Sequence, residues 1–306
     1  MDIVAYRRAA VSAFGEMSSW RGLQTHRPFE FENSGFPVRV DSMMDLRPLL
    51  DTMQEGGWGG MQKEIGGLSE RDVADLVRAL RSWRAFAAAT FGIRDDGRLP
   101  FDTMIVHLVI YRKLCRFKFR DLLEIGPGCG YLSFFLADHP ALGRYHQVEN
   151  TESFYQLQHE TNRHCFGARH YERALSDQPA TGVATCEHWP WWRMDKLGAN
   201  SFDLVTSNAN LSEMTPEARA EYLALIHRCL TPNGALVAEC YGAGRRERVF
   251  DDLAKHGFVE LPQAGGLSWH VNGVWFRAGE RPQQDDAPPA TEPRRVYSQA
   301  EIAALL

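Results

Sequence analysis

Apolar positions fall into two regimes along the chain. Up to about residue 98 they recur at helical spacing. Asp2 to Met17 reads as one helix, and Val73, Leu76, Val77, Leu80 and Trp83 line one face of another that Ser69 can cap, from about Glu70 to Thr90. Gly56, Gly57, Gly59 and Gly60 interrupt the pattern and read as a loop. From about residue 100 short apolar runs alternate with helical stretches. Pro100 to Lys118 is an apolar helix, Asp121 to Ile125 a buried strand, Gly130 to Ala137 a helix, Arg144 to Glu149 a strand and Ser153 to Cys165 a helix. Val183 to Glu187 and Phe202 to Ser207 are strands, and Thr215 caps a helix with Pro216 in its first turn. Ala235 to Cys240 is a strand after the turn Pro232-Asn233-Gly234, Arg245 to Lys255 a helix, and the last strands fall near Val259 and Val274 to Phe276. This alternation predicts an α/β fold, doubly wound around a mostly parallel sheet, behind a helical N-terminal region.

The expected division is a helical region at 1–98, an α/β domain at 99–280, and a proline-rich linker with a short helix at 281–306. Ser298-Gln299-Ala300-Glu301 fits a capping box, and Ile302, Leu305 and Leu306 follow it. This tail is expected to dock on a neighbouring surface or to lead into a further domain. Alone it is too short for a stable helix.

A formal net charge of -5 argues against a nucleic-acid backbone as main partner. The densest basic run holds Arg112, Lys113, Arg116, Lys118 and Arg120, and reads as a solvated helix face. The 6 cysteines show neither C-x-x-C pairs nor zinc spacing. No apolar run is long enough to span a bilayer, and the first residues lack a signal-peptide pattern, so a cytoplasmic location is expected.

The most informative segment is DLLEIGPGCGYLSFFLA, in which a buried strand runs into Gly126, Gly128 and Gly130 and then a helix. Such a turn lies at the carboxyl edge of a sheet, where folds of this kind bind nucleotides. The dinucleotide fingerprint spaces its glycines G-x-G-x-x-G, whereas here they run G-x-G-x-G with Tyr131 in place of the third fingerprint glycine. Glu124 would repel a pyrophosphate and suits a cationic ligand. Glu149, ending the second strand, can accept hydrogen bonds from both hydroxyls of a ribose.

The segment from about 100 to 280 resembles the class I (Rossmann-like) S-adenosylmethionine-dependent methyltransferases. The likeness rests on E-x-G-x-G-x-G at 124–130, the acid at 149, FDLVTSN at 202–208 and LTPNGALVAE at 230–239. SNANLSEM at 207–214 is similar to a strand-end motif of sugar O-methyltransferases from bacterial surface-glycan pathways. The resemblance implies S-adenosylmethionine as cofactor. Glu124, Gly126, Gly128 and Gly130 would line its methionine moiety, and Glu149 would hold the ribose. Glu187 and His188 would meet the adenine, and Asn208 the amino group.

On the acceptor side, Glu213 is a candidate for orienting or deprotonating an acceptor hydroxyl, with Asn210 bonding the same group. Glu213 stands just before Thr215, so support of the following helix is the competing reading. Trp189, Trp191 and Trp192 either stack on a ligand or seal the core. His107 and His227 lie in helical patterns and read as structural, while His270 is an open candidate base. No oxygen cluster around Asp203 calls for a metal. The expected reaction is O-methylation of a sugar or glycan precursor. The alternatives are another small-molecule methyltransferase and a module that binds the donor without turnover.

Overall fold

A computed structural model describes residues 1–16, 39–51, 57–93, 99–176, 185–240, 245–261, 271–280 and 293–306. His270, Val183, Met17, Gly56 and most of the proline-rich linker lie outside them.

The N-terminal part contributes α1 (Ile3–Glu16), a 3-10 helix (Met43–Asp51), α2 (Trp58–Glu64) and α3 (Glu70–Phe91). Ser69 caps α3 in a full capping box with Asp72, and Gly92 ends it in the left-handed region. The alternating part runs α4 (Phe101–Leu114), β1 (Asp121–Ile125), α5 (Ser133–Leu136), β2 (Arg144–Glu149), α6 (Glu152–Phe166) and β3 (His170–Glu172). It continues with β4 (Cys186–Pro190), a 3-10 helix (Trp191–Lys196), β5 (Phe202–Asn208), α7 (Asn210–Glu213) and α8 (Pro216–Cys229). After these come β6 (Leu230–Cys240), α9 (Arg245–Lys255), β7 (Phe258–Glu260), β8 (Val271–Arg277) and α10 (Gln299–Ala303).

Among the described residues 8 strands form one sheet, in the order β3-β4-β2-β1-β5-β6-β8-β7. All run parallel except β8, which is antiparallel to both β6 and β7. Alternation along each strand sends side chains to two cores. Leu122, Tyr145, Leu204 and Val237 meet α2 to α5 on one face. Leu123, Ile125, Val148, Val205 and Leu236 meet α8 and α9 on the other, where Tyr6 of α1 also packs. Residues from Val40 to Phe91 share the first core with the sheet, so the helical segments before α4 close one of its faces.

The tail lies against this helical part. Leu68 bridges to Arg295, and the Tyr297 carbonyl accepts from Trp58 Nε1 at 2.7 Å and Gln62 Nε2 at 2.9 Å. Ser298 caps α10, and Ile302 is fully buried.

Some elements differ from the sequence reading. The strand expected at 183–187 runs from Cys186 to Pro190. Pairing with β3 ends at His188, so the Pro190 nitrogen faces an open side and needs no ladder partner. β3 itself is too short to show a period. The turn at Pro232 lies within β6, opposite a register shift between Phe202 and Leu204. The basic run is only partly a solvated face. Arg112 pairs with Asp72 and Asp75, and Lys113 is buried with its ammonium 2.7 Å from Glu64. Arg116, Lys118 and Arg120 are exposed. Among the described residues no helix is long and apolar enough to cross a membrane, and no group of acids, histidines and cysteines is arranged to hold a metal ion.

Candidate functional site

β1 has β2 on one side and β5 on the other, so the connections diverge at its carboxyl end and leave a crevice there. The glycine turn sits in that position. Gly126, Gly128 and Gly130 have φ of 65°, 59° and 73°, a region glycine enters without steric cost. The Gly126 amide still donates to Val148 at 2.9 Å, which keeps the turn in line with β2. A Cβ on Gly126 would overlap the amide of Asn210 and lie 2.8 Å from its Cβ. A Cβ on Gly130 would lie 3.2 Å from Gln158 Cγ.

Asn210 reaches the turn through a backbone irregularity. β5 ends at Asn208, and Ala209 then takes φ 59°, unusual for a residue with a side chain. Its amide donates to the Glu239 carbonyl at 2.8 Å, and its own carbonyl accepts from Ser212 at 2.6 Å. These bonds hold the strained residue and start α7 immediately after it. Among the described residues, Asn208 Oδ1 and Asn210 Oδ1 are both buried without a hydrogen-bond partner. Buried acceptors are seldom left unpartnered, and each such group calls for a physical explanation.

Glu149 ends β2 and is 3% exposed. One oxygen accepts from the amides of Asn150 at 2.8 Å and Thr151 at 2.9 Å, and the other from Gln158 Nε2 at 2.8 Å. Burial pushes its pKa up, against the pull of these donors. Gln158, on α6, was missed in the sequence reading. Its Nε2 also donates to the Gly128 carbonyl at 2.7 Å, and its Oε1 lies 2.8 Å from His188 Nε2. With both amide hydrogens committed, Gln158 can only accept from His188, which makes Nε2 the protonated ring nitrogen. His188 stacks on Tyr155 with ring centroids 3.8 Å apart. Burial holds the ring well below the usual imidazole range and therefore neutral, and its Nδ1 is buried without a partner among the described residues.

The remaining candidates are placed differently. Glu124 is buried in an internal network, accepting from the Tyr145 hydroxyl and from Gln147 Nε2 at 3.2 Å. Gln147 accepts in turn from Asn162 at 2.5 Å. Burial raises the Glu124 pKa to about 7. Glu187 lies inside β4, paired with Arg173 at 2.6 Å and near His146 at 3.7 Å. Glu213 is exposed. Trp189, Trp191 and Trp192 are all buried in the apolar core that α8 and α9 cover.

Tyr6 of α1 packs between Tyr155 and Trp192 at 4.7 and 5.0 Å, and its hydroxyl is buried without a partner among the described residues. α1 is held there by Arg7 on Glu152 at 2.6 Å and by the chain's amino terminus on Glu160 at 3.4 Å. His107 is internal, its Nδ1 2.7 Å from the Thr103 carbonyl, and burial lowers its pKa to about 4. His227 packs edge-on against Phe258.

No protein-family model matches the chain, and no curated protein matches it. Among solved structures it is similar to the [4+2]-cyclase SpnF, at 19% identity and a TM-score of 0.41 over 61% of this chain and 70% of that one. It is similar also to a TehB-like SAM-dependent methyltransferase from Corynebacterium glutamicum, at 16% identity and a TM-score of 0.41 over 64% and 95%. A third is phosphoethanolamine N-methyltransferase 2 of Haemonchus contortus in complex with phosphomonomethylethanolamine and S-adenosylhomocysteine, at 19% identity and a TM-score of 0.38 over 50% and 37%. At this level the likenesses do not bear on what the chain binds or transforms.

Proposed function

We propose that the chain is an S-adenosylmethionine-dependent methyltransferase whose cofactor lies across the glycine turn. The observation that carries this reading is the pair of amide oxygens of Asn208, at the end of β5, and Asn210, whose side chain lies against Gly126, both buried without a hydrogen-bond partner among the described residues. Acceptors at that point suit the ammonium of a methionine moiety. The phosphate oxygens of a dinucleotide would meet oxygens there.

The other assignments follow the crevice. Gly126, Gly128 and Gly130 let the backbone approach the methionine moiety, and Glu149 accepts from the ribose hydroxyls. His188 offers Nδ1 towards an adenine, and is better suited to it than Glu187, whose carboxylate is engaged by Arg173. Glu124 supports the turn from within. When bound, the sulfonium supplies an already activated methyl group, so holding the acceptor in line provides much of the acceleration. Asn210 orients an acceptor hydroxyl, and Glu213 takes its proton. The acceptor is a hydroxyl of a sugar or glycan precursor, with SNANLSEM as the feature that favours it over other small molecules.

Titration calorimetry with S-adenosylhomocysteine and with NAD tests the central claim. Saturable binding of the first and none of the second is expected. Binding of NAD alone would overturn it. Incubation of labelled donor with sugar and non-sugar acceptors then separates a sugar methyltransferase from the alternatives, and donor binding without transfer to any acceptor would favour a non-catalytic module.

A further inference from the structure

Gln158 touches three parts of the site that the fold brings from separate elements. It donates to the Gly128 carbonyl on the turn at 2.7 Å and to Glu149 at the end of β2 at 2.8 Å, and it lies 2.8 Å from His188 on β4. A buried amide with every hydrogen committed has one orientation, and so do its partners. We infer that Gln158 is the positioning residue of the nucleoside pocket, aiming the Glu149 carboxylate at the ribose and setting the His188 tautomer, so that the ribose and adenine contacts form as one unit. The inference rests on the cofactor reading above.

Two consequences follow from the hydrogen bonding. The Gln158 donor stabilises charged Glu149 against its burial, and a charged carboxylate is the better acceptor for two hydroxyls. His188, donating through Nε2, keeps Nδ1 as an acceptor for a donor such as an exocyclic amine. The Gly128 amide also favours the charged form of Glu149. Glu124 of β1, Tyr6 of α1 and Tyr222 of α8 also act on it, the first as a like charge when ionised and the tyrosines as neutral groups. No cation is among these groups, so the hydrogen bonds from Gln158 and from the Asn150, Thr151 and Gly128 amides oppose its neutralisation.

The test uses the full chain and the variants Gln158→Leu and Gln158→Glu. Leucine removes the amide at similar volume. Glutamate keeps the length but exchanges donors for a second acid. Carbon-13 NMR of the Glu149 carboxyl across pH, with thermal melting to establish folding, reads the positioning without any ligand. The Glu149 midpoint should rise by about one unit in Gln158→Leu and further in Gln158→Glu. Calorimetry with S-adenosylhomocysteine should show affinity reduced about tenfold or more near neutral pH, with the acid limb of binding moved up by the same amount. An unchanged Glu149 midpoint in either folded variant would overturn the inference, as would a loss of affinity that is the same at every pH. If the unaltered chain binds no S-adenosylhomocysteine, the cofactor reading fails, and the NMR midpoints still decide whether Gln158 controls Glu149.

Discussion

The side chain of Asn210 lies directly against Gly126, so the loop after β5 and the turn after β1 meet with no room for another atom between them. Gly126→Ala must therefore move Asn210 while placing a side chain at φ 65°. It should destabilise the chain by about 1–3 kcal/mol and abolish binding of S-adenosylhomocysteine. Adding Asn210→Ala removes the amide but leaves the Cβ and the backbone conformation, so stability should recover only in part. A double-mutant cycle from denaturant melts measures the coupling, and additive effects would show that the two residues do not meet.

Glu149→Ala should weaken S-adenosylhomocysteine binding about tenfold or more, since hydrogen bonds to a charged acceptor contribute roughly 1.5–3 kcal/mol each. Glu149→Gln should fall between, because its amide can accept from one hydroxyl only. Calorimetry at constant pH reads both, and an unchanged dissociation constant would remove Glu149 from the site.

Glu124 makes stability depend on pH. Its pKa rises from the ordinary value of 4.5 to about 7 on folding, so between these the folded chain holds a proton that the unfolded chain has lost. The stabilisation is complete below the unfolded value and disappears as pH rises through the folded one, by up to about 3 kcal/mol. Glu124→Gln keeps the shape and cannot ionise. It should flatten the stability curve between pH 4.5 and 7 and raise stability at pH 8, as urea melts of the ligand-free chain would show. A variant as pH-sensitive as the original over that range would assign the effect elsewhere.

Glu213→Gln separates a base from a helix-supporting residue. Turnover should drop about 100-fold while donor affinity stays nearly constant. The side chain is exposed, so burial does not confound the result. Near-normal turnover would leave Asn210 and the in-line geometry as the means of handling the acceptor, and would direct attention to His270.

Ile302 is fully buried against the helical part of the chain. Ile302→Ala should cost roughly 2 kcal/mol or more, and deletion of 293–306 should cost more still, because Trp58 and Gln62 lose the Tyr297 carbonyl. Binding of S-adenosylhomocysteine should survive both changes. Loss of binding in a chain that still melts cooperatively would place the tail at the site instead.

The glycine turn, the acid that ends β2 and the alternation of buried strands with helices were legible in the sequence because each depends on neighbours along the chain. A turn needs its own residues at positive φ, a buried strand needs its own apolar run, and Ser69, Thr215 and Ser298 cap the helices that directly follow them. What depends on contacts between distant segments was not legible. The end of β4 was misplaced because the Trp189-Pro190 pair reads as a break, and only the short reach of β3 makes a proline tolerable there. Lys113 reads as a solvated charge until Glu64 is packed against it. Gln158 is an unremarkable helical glutamine, one of several in ENTESFYQLQ, and becomes informative only when folding places Gly128, Glu149 and His188 around its amide. Local pattern determines where the chain turns and which faces it buries. Which buried polar groups find partners, and which are left open to a ligand, is decided by segments far apart in sequence that meet only in the folded core.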